Sequence, residues 1–529
     1  MGCPCIKLKD NRFDGCGLRF EYQSESEEWQ GVDCFGQSVS LTQDQVGILK
    51  RFNELPISKY PPGLVTLTGA EVNAANAVSS EKDFLFSLQG DFQAWFRIDT
   101  SNMMGHVRLY SEDRQTAVEL EITSRFDKGE NQLFLNYLLC AGLGVNLVGQ
   151  VGGLDGGWDF LLAYLFLMKL GEVAAVGLLK QYAEFRRNDF NPRGRVDIQR
   201  HIHENWPALR GIAYVKRDAV CDIPLNHLLR HAVETVFRKW PQLEDRFDDA
   251  KEMVRSLREN TPTWSKNGCH AILQHEDCLS PVRHPYFMEY YEPLRVLSRV
   301  ILRDEGVGAY GEGDEVSGVV FNGADLWEEY LHTVLLIHHS SSNETLFQSG
   351  EYIHANNRTR TNEIYLYRSR ENENSRGHQR IYPDFRWRCG RDDRPDYEWD
   401  VILDAKYKGL VQEGQTAPSV TLPDRCEMAQ YVMATKARLC ALLCPVSNEK
   451  DMRNHFTTRG WLVDGVFHGY ESTVIAIPFF VPDAYGFDEF GKSMREEENN
   501  FQTRIESAVK HYGVASQQPE MVGGIANGA

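Results

Sequence analysis

The sequence predicts a mixed α/β protein of several domains, α+β overall. A β-rich N-terminal domain covers residues 1–125 and a mainly helical middle domain 126–303. A linker at 304–317 leads to a mixed helix-and-strand domain at 318–512 and a flexible tail at 513–529. Three observations carry this division. Apolar residues alternate with a period of two in the first part, the mark of half-buried strands, and recur at helical spacing in the middle. Between Asp304 and Asp314 an acidic stretch holds Gly306, Gly308, Gly311 and Gly313, which suits a connection rather than a core. At 529 residues the chain is also too long for one core, since about 150 residues per domain is usual.

The elements follow in order. Phe84, Phe86 and Leu88 mark one strand, Phe92, Ala94, Phe96 and Ile98 a second, and Val118, Leu120 and Ile122 a third. The uncharged stretch from Asn131 to Leu154 is too polar and broken by glycine to span a bilayer. The apolar run from Phe160 to Met168 ends at Lys169, and both segments read as buried. Leu229, Val233, Val236 and Trp240 define a helix with Asn226 as its cap, and Pro285 to Arg303 defines another. Asn322-Gly323-Ala324-Asp325 has the form of a capping box, opening a helix striped by Trp327, Tyr330, Leu331 and Val334. Two strands around Asp384 and Asp404 come next. A helix then carries Asp424, Glu427 and Tyr431 on one face, and Leu439–Leu443 and Val474–Pro478 are apolar strands.

Composition excludes several classes. Hydrophobic residues at 42% and charged residues at 25% rule out a mainly disordered chain. Against 75 Asp and Glu stand 57 Lys and Arg, a formal charge of −18, so any nucleic-acid contact must come from a local basic face. Met1 to Lys7 lacks the basic-then-apolar order of a secretory signal, and Ile6 breaks the myristoylation pattern. Twelve scattered cysteines make no disulfide framework, so a cytoplasmic setting without membrane association is expected.

The chemistry centres on Tyr382-Pro383-Asp384 and Leu403-Asp404-Ala405-Lys406. In a strand Asp404 and Lys406 share one face, while Val401, Leu403 and Ala405 turn to the other. Gly390-Arg391-Asp392-Asp393-Arg394-Pro395-Asp396 between the two segments is a turn signal, and a hairpin centred near Arg394 sets Asp384 opposite Asp404. Two carboxylates and an ammonium then converge. Hard carboxylate oxygens suit Mg²⁺, which keeps waters and binds phosphate, so the constellation fits phosphodiester hydrolysis. Lys406 could orient the attacking water, deprotonate it, or offset charge on the phosphorus. Glu328 sits beside the helix stripe, within reach of a metal across the sheet.

With Glu328, Asp384 and Asp404-Ala405-Lys406, the C-terminal part resembles the PD-(D/E)xK nuclease superfamily, and the fuller pattern resembles the McrC family. The residues behind this are Leu326-Trp327-Glu328-Glu329-Tyr330-Leu331, Tyr382-Pro383-Asp384, Leu403 to Lys408 and the Asp424 to Tyr431 helix. Gly177 to Tyr182, Arg193-Gly194-Arg195-Val196-Asp197, Pro224-Leu225-Asn226, Leu120-Glu121-Ile122 and Leu135 to Leu139 agree, so the likeness spans about residues 118 to 480. It implies the nuclease subunit of a McrBC-type, 5-methylcytosine-dependent restriction system serving antiviral defence. It further implies methylated DNA as substrate and a McrB-like AAA+ GTPase hexamer as partner, whose GTP hydrolysis the subunit stimulates. Cleavage would then require docking on that motor, with two complexes able to meet. On this likeness Asp384 and Asp404 are the metal ligands, Lys406 and Glu328 complete the catalytic set, and Glu427 and Tyr431 support it. Glu427 stands where the family usually has Gln, and Asp396 is a competing first aspartate, although it lies close to the turn.

From Arg358 to Arg394 there are ten arginines and no lysine. Arg380, Arg386 and Arg388 are therefore expected to contact DNA phosphates, the alternative being a solvated hairpin of internal Arg–Asp pairs. Arg186, Arg187, Arg193, Arg195 and Arg200 form a second cluster, with Arg193 and Arg195 as candidates for stimulating the partner GTPase. The other expected role, from a different class, is a non-catalytic subunit that assembles on and activates the motor. Gly486 to Ser493 matches the Walker A spelling, but Asp488 and Glu489 would put negative charge in a phosphate cradle. Cys269, His270, His275 and Cys278, and Cys3, Cys5, Cys16 and Cys34, carry zinc-ligand types at irregular spacing.

Overall fold

A computed structural model describes residues 3–10, 17–61, 64–68, 71–74, 83–127, 132–142, 157–207, 210–244, 247–304, 316–341, 351–354, 364–367, 378–388, 401–408, 421–447, 462–466, 469, 472–484 and 486–513. The chain is mixed α/β with a β-rich N-terminal part, and it forms two compact units. One contains Met1–Leu8, Arg12–Ile122 and Leu154–Val320; the other contains Lys9–Asn11, Thr123–Gly153 and Phe321–Ala529.

The first unit holds two large sheets. One is antiparallel, in the order Ser38–Leu41, Glu28–Val32, Leu18–Gln23, Trp95–Thr100, Phe86–Gly90. Its inward positions are aromatic. Phe20 and Phe96 face each other in register and stack at 5.0 Å, with Trp29 set edge-on to Phe96 at 5.1 Å. Phe92 lies outside the strand that the alternation predicts for it, in a turn at φ +56°.

The other sheet runs Cys5–Lys9, Ala117–Thr123, Met103–Tyr110, Val316–Asn322, Leu64–Thr68, Glu71–Ala74. Val316–Asn322 straddles the start predicted for the last domain, yet its first residues complete this sheet. Two glycines make the pairing close. A Cβ on Gly105 would meet the Val319 carbonyl oxygen at 2.1 Å, and one on Gly318 would meet that of His106 at 2.1 Å. Both glycines have positive φ, +142° and +148°.

Helices Gly157–Glu172, Pro224–Lys239, Asp248–Asn260 and Pro285–Asp304 fill the middle stretch. Leu225, Leu228, Leu229, Ala232, Val233 and Val236 form the buried stripe of the second. Pro224 opens that helix after Ile223, so Asn226 is not its cap. Instead its buried amide donates to the Leu179 and Cys221 carbonyls at 2.9 and 2.7 Å. The helical reading also leaves out a three-stranded sheet, Gln181–Asp189, Ile212–Val220 and Arg195–Val196, with helix Ile198–Asn205 after it.

The second unit has a six-stranded sheet ordered Glu351–His354, Phe385–Arg388, Val401–Ala405, Leu439–Ser447, Thr473–Val481, Leu462–Val466. Its central three strands are parallel and the outer pairings antiparallel. Helix Leu422–Thr435 makes the crossover between two parallel strands. It buries Met428, Tyr431 and Val432 against Ile402, Cys440 and Leu442. Trp327 and Tyr330, from helix Gly323–Ser341, pack with Phe479, and Phe479 with Phe501, at 5.2–5.9 Å. Val401–Ala405 is thus buried on both faces, not only on its wholly apolar one. Among the described residues no helix is long and apolar enough to cross a membrane. Phe487–Ala508 is one continuous helix, so Gly491, Lys492 and Ser493 lie in its first turns rather than in a phosphate-binding loop.

Candidate functional site

Strand pairing brings the two aspartates together. Phe385 pairs with Leu403, Arg386 with Ile402 and Trp387 with Val401, the register of a hairpin centred at residue 394. Continued by one residue, it sets Asp384 opposite Asp404. Asp384 Oδ2 accepts a 2.6 Å hydrogen bond from the Ala405 N–H, which ties the two segments where the ladder ends.

Asp404 is 1% exposed. Its Oδ1 accepts from the Tyr431 hydroxyl at 3.2 Å, and its Oδ2 lies 2.6 Å from Lys406 Nζ. Lys406 Nζ also meets Glu427 Oε2 at 2.9 Å. The Tyr431 hydroxyl has one proton for three acceptors, since the Tyr382 carbonyl and Glu427 Oε1 each lie at 3.3 Å. Helix spacing explains why Glu427 and Tyr431 arrive together: they are four residues apart on one face. Asp424, one turn earlier, pairs with Lys408 and accepts from the Thr421 hydroxyl.

The electrostatics are those of crowded carboxylates. Burial pushes the Asp404 carboxyl up to about 6, against the pull of Lys406 and with the added push of Glu427. Asp384 is held well above the usual carboxylate range by burial, by Asp404 and by Glu328. Burial opposes the charge on Lys406, but Asp404 and Glu427 outweigh it and hold the ammonium above the ordinary lysine range. Among the described residues no third His, Cys, Asp or Glu joins the pair as a ligating group. The donor set is therefore two hard oxygen ligands in a place that favours added positive charge. That fits Mg²⁺, which fills its remaining positions with water and phosphate.

Other predicted residues sit elsewhere. Arg380 is exposed, but Arg386, expected on a DNA-facing surface, is only 6% exposed. Its strand is buried on both faces, with Phe385 and Trp387 1% and 2% exposed. The Arg388 side chain, the turn from Gly390 to Asp396 with its competing aspartate, and Cys16 lie outside the described residues. Arg193 and Arg195 are exposed in the first unit, Arg195 on a short strand opposite Val215. Cys269 and Cys278 are buried thiols whose pKa burial raises, while His275 caps the short helix Glu276–Leu279 through the Asp277 N–H. Sequence reasoning missed the surroundings of Tyr407. Its hydroxyl is 2.7 Å from that of Ser124, and its carbonyl accepts from Arg125. No motif marks Ser124 or Arg125; only their place just after a predicted strand could have drawn notice.

Comparison with known proteins gives a family match and likenesses to solved structures. None of the curated proteins matches. A half-complex from a tetradecameric assembly of Thermococcus gammatolerans McrB AAA+ hexamers with bound McrC is 14% identical. That alignment covers 94% of this chain and 99% of the other, with a TM-score of 0.44. The cryo-EM structure of the Thermococcus gammatolerans McrBC complex is 14% identical over 65% of this chain and 90% of its own, with a TM-score of 0.32. A family model described as McrBC 5-methylcytosine restriction system component matches residues 98–445. With that match over well more than half its length, the chain belongs to the McrBC 5-methylcytosine restriction system component family.

Proposed function

We propose that this chain is the Mg²⁺-dependent DNA endonuclease subunit of its restriction system, cutting DNA when docked on a McrB-like AAA+ GTPase hexamer. The register that sets Asp384 opposite Asp404, with Lys406 beside them, carries the reading. Asp384 and Asp404 would hold the ion. When bound, it supplies Lewis-acid polarisation of the phosphate and acidifies a water. Lys406, kept cationic by Asp404 and Glu427, suits orienting the water and offsetting charge on the phosphorus better than removing a proton. Tyr431 and Glu427 fix Asp404 and Lys406, and Glu328 adds negative charge next to Asp384. Burial of Asp404 keeps the centre in low dielectric, where these charges act strongly.

The partner-docking role rests on a different surface. Phe190 and Trp206 are 76% and 74% exposed, and Ile198, Ile202 and Val196 lie open near Arg193 and Arg195. Exposed apolar side chains among basic ones suit a protein interface. The same surface favours the second reading, a subunit that activates the motor without cutting. Cleavage of methylated and unmodified plasmid, with Mg²⁺, GTP and the AAA+ protein, separates the two. The nuclease reading requires cutting by wild type that Asp404→Ala abolishes. Raised GTP turnover without any cutting would leave only the activator.

A further inference from the structure

The Asp404-Ala405-Lys406 segment is held from both sides, and the hold beyond Lys406 comes from residues with no part in the reaction. Strand Val401–Ala405 ends at Ala405, whose N–H is taken by Asp384. The Lys406 N–H donates to the Leu443 carbonyl at 2.9 Å. Past that point the chain leaves the sheet, and Tyr407 is its next fixed point. Tyr407 is 3% exposed, with its ring edge-on to Phe126 at 5.3 Å and its hydroxyl 2.7 Å from that of Ser124. The Arg125 guanidinium donates to the Tyr407 carbonyl and lies 5.1 Å from the centre of its ring. Arg125 is itself fixed: its N–H donates to Asp10 Oδ1 at 2.6 Å, and the Asp10 N–H donates to the Thr123 carbonyl at 2.9 Å.

We infer that Ser124 and Arg125 are positioning residues for Lys406. Both act through Tyr407, Ser124 at its hydroxyl and Arg125 at its carbonyl. Lys406 has a backbone tether on the strand side, a 2.8 Å bond from the Lys408 N–H to its own carbonyl, and this clamp just beyond. With these in place its side chain is aimed at Asp404 Oδ2 and Glu427 Oε2, at 2.6 and 2.9 Å. Without the clamp only the Lys408 N–H restrains the Lys406 carbonyl past the sheet, and the ammonium is less firmly aimed. A displacement of about 1 Å at a reacting group can cost up to a hundredfold in rate. Arg125 matters more than Ser124, because it restrains the backbone carbonyl itself. This inference rests on the nuclease reading, since it assigns how the proposed Lys406 is held.

The test is steady-state cleavage of methylated plasmid by the full chain with its AAA+ partner, GTP and Mg²⁺. Arg125→Ala, Arg125→Lys, Ser124→Ala and Lys406→Arg are compared with wild type, together with the double variant Arg125→Ala/Lys406→Arg. Arg125→Ala is expected to lower kcat about tenfold or more with KM for DNA within about twofold, and Arg125→Lys, which keeps a cationic donor, to recover most of the loss. Ser124→Ala should cost less than Arg125→Ala. In the Lys406→Arg background, Arg125→Ala should add little, because both changes act on one group. A merely structural arginine would instead lower the melting temperature and the active fraction without this non-additivity. Wild-type kcat in Arg125→Ala, or full multiplication of the two losses, overturns the clamp and leaves the nuclease reading standing. No cutting by wild type itself overturns both.

Discussion

Asp404 and Lys406 make an ion pair that is nearly sealed from solvent on the acid's side, so changing either leaves an unbalanced partner. We expect Asp404→Ala and Lys406→Ala each to reduce cleavage about a hundredfold or more while DNA still binds. Nitrocellulose retention of labelled plasmid beside a cleavage assay checks this; wild-type rates in either variant would refute the assignment. A second buried acid tests the electrostatics away from the reaction. Burial raises the Asp127 carboxyl to about 6, partly offset by N–H bonds from Phe134 and Leu135. Its folded pKa therefore exceeds its unfolded one, and the native state binds the extra proton between them. Its effect on stability is most favourable below about pH 4, is lost as pH rises through about 6, and is flat above, a change on the order of 3 kcal/mol. Denaturant melts of wild type and Asp127→Asn across this range should show the wild type alone losing that increment. At this scale the sequence was informative where chemistry and period two coincide, as in the pairing of Asp384 with Asp404. It did not foresee the burial of Arg386, because counting arginines says nothing of how far a strand is covered.

Strands were legible where one face is buried. Ala117–Thr123 and the first part of Trp95–Thr100 alternate because a core selects every second residue, while Phe86–Gly90 buries Ser87 as well as Phe86 and Leu88. Gln181–Asp189 gave no such signal, since nearly all of it is exposed and its residues are mostly polar. Val316–Asn322 shows another limit: composition reports a strand, but its partner lies some two hundred positions earlier in the chain. The two glycines that let these strands approach, each facing non-glycine backbone of the other strand, could not be read as partners without the fold. Gly318→Ala should lower stability by about 2 kcal/mol or more, because its Cβ would fall 2.1 Å from the His106 carbonyl oxygen at a φ that disfavours side chains. Thermal melts decide this, and an unchanged melting temperature would mean that the two strands do not approach so closely. The crossover helix Leu422–Thr435 was legible for a different reason: Asp424, Glu427 and Tyr431 fall at helical spacing whether or not their partners are known.

For the whole molecule, an acidic chain belonging to a DNA-restriction family presents a local basic and apolar surface instead of an overall positive charge. Trp206→Ala with Ile202→Asp should weaken association with the AAA+ protein about tenfold or more. Arg193→Ala with Arg195→Ala should reduce GTPase stimulation while leaving association largely intact. Titration calorimetry and phosphate release measure the two effects separately; normal values for both pairs of variants would move the docking surface elsewhere. The proposed nuclease centre is two opposed aspartates and a cationic lysine. Its most direct test is Mg²⁺-dependent cleavage of methylated plasmid by wild type and Asp404→Ala, each with the AAA+ partner and GTP. Wild type is expected to cleave and the variant to lose about a hundredfold or more, with GTP turnover stimulated equally by both. Equal cleavage by both proteins, or none by either with GTP turnover still raised, would contradict it.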